Sequence, residues 1–155
     1  MATITGPLKP EDKKVVGEAL QGALVDLLDL SLLAKQAHWN VIGHNFRQIH
    51  LHLDEIVAFA RAHADTVAER AVALDVTPDG RAGTIANSTK VPQLDSGYLD
   101  VGKVVAAMTD ILESIGRRMR ERVVATEEAD PVTQDIFIAI TQDVEKHHWM
   151  MQAQR

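Results

Sequence analysis

Cysteine is missing from the 155-residue sequence, which excludes a disulfide framework and a thiolate metal site and leaves His, Asp and Glu as the only strong metal ligands. Aromatic residues are scarce, 4% against 46% hydrophobic, so the core must be aliphatic, and the chain is long enough to bury one without covalent staples. No stretch approaches the roughly 18 uncharged apolar residues that a membrane-spanning helix needs. The start, MATITGPLKPEDKK, has no apolar h-region of the kind a secretory signal carries, so a soluble, cytoplasmic protein is expected. Positive charge is also short: 16 Lys and Arg against 22 Asp and Glu give a net charge of −6, which disfavours an electrostatic hold on phosphate.

Proline and glycine are absent from 45–74, where Ala, Leu, Arg, Glu and Val dominate. That absence predicts one unbroken helix of nearly thirty residues. Before it, residues 1–9 form a short tail without periodicity. Pro10 followed by Glu11 and Asp12 marks a helix start, and an apolar stripe from Val15 and Val16 through Leu20, Leu24, Leu27 and Leu28 carries this first helix to about Trp39. After it, LDVTPDGRAGTIANSTKVPQLDSG is too long for a tight bundle turn and reads as a crossover joining parallel neighbours. A third helix follows from about Leu99 to Ala125, with Arg117, Arg118, Arg120 and Arg122 near its C-terminal end, where the dipole favours a solvated cationic patch. Asp130-Pro131 then starts a fourth helix running to about Gln152. The whole, 1–155, is expected to be one all-α domain.

The chemistry lies in KQAHWNVIGHNFRQIHLHLDEIVAFARAHADTVAER, residues 35–70. At about 100° per residue, His50, Asp54, Asp65 and Glu69 fall at roughly 0°, 40°, 60° and 100° around the central helix and share one stripe. His50 and Asp65 are nevertheless about 22 Å apart along the axis, far beyond the few ångströms that separate two ligands of one metal. Gly43 between Asn40 and Asn45 suits a turn with positive φ, which would bring His38, at the end of the first helix, beside His50. The chain thus offers a His38/His50 half-site with Asp54 close by, and an Asp65/Glu69 half-site near the other end. An antiparallel two-fold dimer crossing near Ala58, with small residues Ala58, Ala60, Ala62 and Ala64 at the contact, would join them twice.

The string H-W-N-V-x-G-x-x-F-x-x-x-H, from His38 through Trp39, Asn40, Gly43 and Phe46 to His50, followed by D-x-x-x-E-R from Asp65 to Arg70, resembles the signature of the Dps family, the mini-ferritins also called DNA-binding proteins from starved cells. The resemblance implies a ferritin-like four-helix bundle with a short helix in the crossover, around Pro92 to Ser96, assembling into a hollow homo-dodecamer. It implies a ferroxidase that oxidises Fe(II), preferably with hydrogen peroxide rather than oxygen, at intersubunit sites, and stores ferric mineral against oxidative damage. His38, His50, Asp65 and Glu69 are then the iron ligands, Asp54 a further ligand or an orienting group, and Trp39 an oxidisable ring beside them. An acidic group, Glu127, Glu128, Asp130 and Asp135, would line a three-fold pore.

Compacting DNA in the nucleoid is the alternative that the family name invites, yet Lys9, Lys13 and Lys14 sit beside Glu11 and Asp12, and the C-terminus offers only Arg155. Glu145-x-x-His148 matches half of a bundle-interior di-iron motif, but a second copy is missing. His44, His52 and His63 lie off the ligand stripe or in the turn and receive no role.

Overall fold

The computed structural model describes residues 3–155. Four long helices carry it: α1 (Pro10–Asn40), α2 (Phe46–Ala73), α4 (Val101–Thr126) and α5 (Pro131–Gln152), with a short α3 (Ala82–Ser88) in the crossover. Pro10 occupies the first turn of α1 with Glu11 and Asp12 beside it, where a missing N–H costs nothing and acidic groups complement the dipole. The α1–α2 turn places Gly43 at φ 116° and Asn45 at φ 64°, the left-handed backbone expected there. A Cβ at Gly43 would also stand 2.8 Å from Asp100 Oδ2.

Two short strands, β1 (Val41–Ile42) and β2 (Leu99–Asp100), pair in parallel and tie this turn to the start of α4. Asp100 then caps α4 by accepting a hydrogen bond from the Gly102 amide at 2.9 Å. Because β1 follows α1 and β2 precedes α4, α4 begins at the end of the bundle where α2 begins. The crossover therefore travels back along the bundle's length, about 40 Å for 28 helical residues, and α2 and α4 run in the same direction. Two antiparallel hairpins, α1–α2 and α4–α5, pack through α1 on α4 and α2 on α5.

The core between them is aliphatic, as the composition requires: Leu20, Leu27, Leu30, Ile49, Leu53, Ile56, Ile111, Leu112 and Ile115 are fully buried, joined by Met108 and Phe137. Each such side chain stabilises the fold by about 1.5–3 kcal/mol. The crossover helix is not where the resemblance puts it. Residues 92–96 carry no helix; Val91 is buried and Gln93 Nε2 donates to Asp29 Oδ2 and to the Val91 carbonyl, both at 3.0 Å, which holds this stretch extended. The helical turn forms ten residues earlier, where Ile85 buries itself and Asp79 accepts from Thr84 Oγ1 at 2.8 Å.

The arginines of α4 also correct an expectation. Arg118 grips Asp26 with two nitrogens, at 2.9 and 3.0 Å, and Arg122 adds a third contact at 2.8 Å. The Asp26 side chain is 3% exposed, and those of Arg118 and Arg122 are 15% and 14% exposed. Arg120 pairs with Glu145 of α5. Arg118 and Arg122 thus join α4 to α1 out of solvent, whereas Arg120 stays 69% exposed although it reaches Glu145. Removing one partner of a buried ionic group is costly because the others remain desolvated. Asp26→Ala should therefore lower unfolding stability by about 3–5 kcal/mol, whereas an apolar replacement of all three residues should be near neutral; urea titration at one fixed protein concentration checks both, and a loss under about 1 kcal/mol for Asp26→Ala would contradict the assignment.

Candidate metal centre

His38 is buried in the last turn of α1 and His50 lies one turn into α2, so the five-residue turn between the helices brings the rings together. They stack with centroids 3.6 Å apart and planes 19° from parallel. His38 Nδ1 lies 2.7 Å from the His50 carbonyl and His50 Nδ1 lies 2.8 Å from the His38 carbonyl. A carbonyl only accepts, so each Nδ1 carries a proton, and in the tautomer this selects the lone pair lies on Nε2. This is the tautomer a metal ligand needs, with ring orientation fixed by the backbone.

Asp54, one turn after His50, places Oδ1 2.6 Å from Lys35 Nζ and 3.4 Å from His38 Nδ1. The Lys35 hydrogen bond, aided by His38 and His50 nearby, holds its carboxyl below the ordinary range, so Asp54 is ionised beside the rings. Trp39 is 66% exposed, with Lys35 Nζ 6.0 Å from its ring centre; it is not buried against its own bundle.

Asp65 and Glu69 lie on the same unbroken α2 and are exposed, and among the described residues neither joins an ion pair. One chain therefore brings His38, His50 and Asp54 together and leaves Asp65 and Glu69 apart from them. The alanines separate likewise: Ala58 and Ala62 face outward, whereas Ala60 and Ala64 are buried in the chain's own core and cannot line a crossing. Arg70, next to Glu69, turns inward, donating from Nη2 to Asp130 Oδ2 at 2.7 Å and from Nε to Thr133 Oγ1 at 3.1 Å. Asp130 is buried; burial pushes its carboxyl up, but hydrogen bonds from Arg70 and Thr133 outweigh this and the net direction is down. Its carboxylate thus fastens α5 to α2 and is not a free acidic group, whereas Glu127, Glu128 and Asp135 are exposed.

Residues given no role in the sequence form a second cluster between α2 and α5. His52 Nε2 lies 3.0 Å from His147 Nδ1, Phe59 stacks on His147 at 4.7 Å, and His63 Nε2 contacts Asp143 Oδ2 at 2.7 Å. Burial pushes His147 down to about 4 and lowers His52 as well, so both rings are neutral at pH 7. The spacing His52-x-x-Glu55 on one helix was the available signal, but a partner 95 residues away is invisible without the fold. Glu145-x-x-His148 does not converge on a site: Glu145 is engaged by Arg120.

A ferritin-like domain model matches residues 17–155. Over 143 residues, 92% of this chain, the sequence is 36% identical to DNA protection during starvation protein 2 of Deinococcus radiodurans, of whose length the match spans 59%. It is 32% identical to DNA protection during starvation protein of Agrobacterium fabrum, over 91% of this chain and 88% of that one. The solved structure of Dps from Microbacterium arborescens in the high iron form superposes with a TM-score of 0.91 at 32% identity, covering 98% of both chains. A bundle of this topology, a signature in register and relatives matched along nine-tenths of the sequence place the chain in the Dps family of ferritin-like proteins.

Proposed function

We propose that this chain is an iron-oxidising and iron-storing mini-ferritin of the cytoplasm, working as a hollow homo-dodecamer with its oxidation sites between subunits. The observation that carries the reading is the His38/His50 pair: two stacked imidazoles, each held through Nδ1 by a backbone carbonyl, keep both Nε2 atoms for a ligand, and the carboxylate beside them among the described residues is Asp54. Ferrous iron, the substrate, is a borderline cation that such nitrogens bind well when carboxylates complete the set. An antiparallel partner supplies Asp65 and Glu69 across a contact at Ala58 and Ala62, both exposed. Asp54, hydrogen-bonded to Lys35 and 3.4 Å from His38 Nδ1, adds negative charge beside the rings more than it ligates.

In the reaction, hydrogen peroxide accepts one electron from each of two ferrous ions and two protons, its O–O bond breaks, and two waters and two ferric ions result without hydroxyl radical. The residues contribute placement and charge: His38 and His50 hold the cation, Asp65 and Glu69 offset its growing positive charge, and exposed Trp39 intercepts stray oxidising equivalents. The net charge of −6 per chain and the engagement of the α4 arginines on Asp26 and Glu145 favour this reading over direct binding of DNA phosphates.

Anaerobic Fe(II) titration of the assembled protein followed by peroxide or by oxygen tests the activity. Oxidation should be faster with peroxide, and His38→Ala should slow it by roughly 10–100-fold or more, the scale on which even outer-sphere lesions act at metal sites; an unchanged rate in His38→Ala would reject the site.

The exposed acids at the start of α5, Glu127, Glu128 and Asp135, are proposed to focus cations at a three-fold entry. Glu128→Gln with Asp135→Asn should slow iron uptake at low ionic strength, and the difference should shrink as salt screens the field. Light scattering should still report about 200 kDa, twelve chains of 17.0 kDa. Equal uptake at every ionic strength would leave these acids without that role.

A further inference from the structure

The face of α2 that meets α5 holds metal-type donors outside the proposed oxidation centre. His52 stands two residues beyond His50, about 200° around the helix, so it points toward α5 while His50 points toward α1. Glu55, one turn further along, is exposed. His147 reaches in from α5, and one donor atom from each of the three lies within 4.8 Å of the others. Phe59 stacks on the His147 ring with planes 17° apart, which fixes that ring before any ligand arrives. A groove lined by His52, Glu55, Leu51 and Trp149 opens two of the three to solvent, with His147 buried behind them.

We infer that His52, Glu55 and His147 form a site, contained within one subunit, for a borderline divalent metal ion such as Zn(II) or Co(II). Two imidazoles and one carboxylate with a side open to water are a donor set suited to such ions. The metric fits as well. Two nitrogens bound tetrahedrally at about 2.0–2.1 Å from a zinc ion are about 3.3 Å apart, and the His52 and His147 nitrogens already stand at 3.0 Å. Widening them by a few tenths of an ångström, with the hydrogen-bonded proton moved to the other nitrogen of its own ring, lets a cation take the lone pairs of both facing nitrogens. Glu55, exposed and in no ion pair among the described residues, closes from the mouth by a side-chain rotation.

The test uses the full-length assembled protein, stripped with a chelator, in a His38→Ala/His50→Ala background that removes the α1–α2 donors. Co(II) should bind at one equivalent per chain with a visible d–d absorption band and be displaced by Zn(II). Glu55→Gln, at an exposed position that leaves the fold intact, should weaken binding by at least about tenfold, and His52→Ala should abolish the band; His63→Ala should leave it unchanged. No band, or a band indifferent to Glu55→Gln and His52→Ala, would overturn the site. A band present in the wild type but lost in the background variant would do so too, by assigning the cation to His38 and His50. Iron oxidation rates are read separately, so failure here is distinguishable from failure of the ferroxidase reading.

Discussion

A straight helix cannot bring together groups fifteen residues apart, and that rigidity governs this protein. α2 runs unbroken for 28 residues, holding His50 and Asp65 about 22 Å apart on one stripe. The two imidazoles are organised within the chain by reciprocal hydrogen bonds across the α1–α2 turn, while the two carboxylates stand exposed and unpartnered by imidazole. In the proposed assembly the second subunit completes the ligand set, so assembly and chemistry become one requirement. A monomer would hold only half a site.

Charge follows a related logic. With more acids than bases, the chain sets four of its nine arginines on acids of other helices: Arg118 and Arg122 on Asp26, Arg120 on Glu145, Arg70 on Asp130. These pairs join α1 to α4, α4 to α5 and α2 to α5, so the cations act as fasteners between helices. Uncompensated acids remain on the surface, among them Asp65, Glu69, Glu127, Glu128 and Asp135. A surface of that sign attracts ferrous ions by steering and repels polyphosphate.

Much of the fold was legible because its signals are local. Pro10 and Pro131 mark helix starts, the absence of Pro and Gly across 45–74 gives α2, and Gly43 with Asn45 supplies the positive-φ turn; all are dictated by backbone sterics. The His38/His50 pairing was readable for the same reason, since only five residues separate the two helices. What failed depended on distant partners. The crossover helix forms at Ala82–Ser88, despite Gly83, because Ile85 finds a buried place, and the stretch at 92–96 is held extended by a bond to Asp29. Arg118 and Arg122 looked like surface charge until Asp26, more than ninety residues earlier, faced them. His52 and His147 met only once α5 lay along α2. Placing all four alanines at one contact overlooked helical phase: 58 and 62 share a face, as do 60 and 64, and which pair faces the core depends on the packing of α1 and α5 against α2.

The most direct measurement of the central claim pairs two defective subunits. His50→Ala and Asp65→Ala each remove one ligand from every site of a homo-oligomer, so both should lose rapid Fe(II) oxidation. When the two are co-assembled, a mixed dimer carries both lesions at one site and none at the other. Random mixing forms such dimers about half the time and should restore roughly a quarter of wild-type activity, while the same samples mixed without reassembly should show no gain. If co-assembly restores nothing although mixed oligomers have formed, the ligands do not come from two chains and the account is wrong.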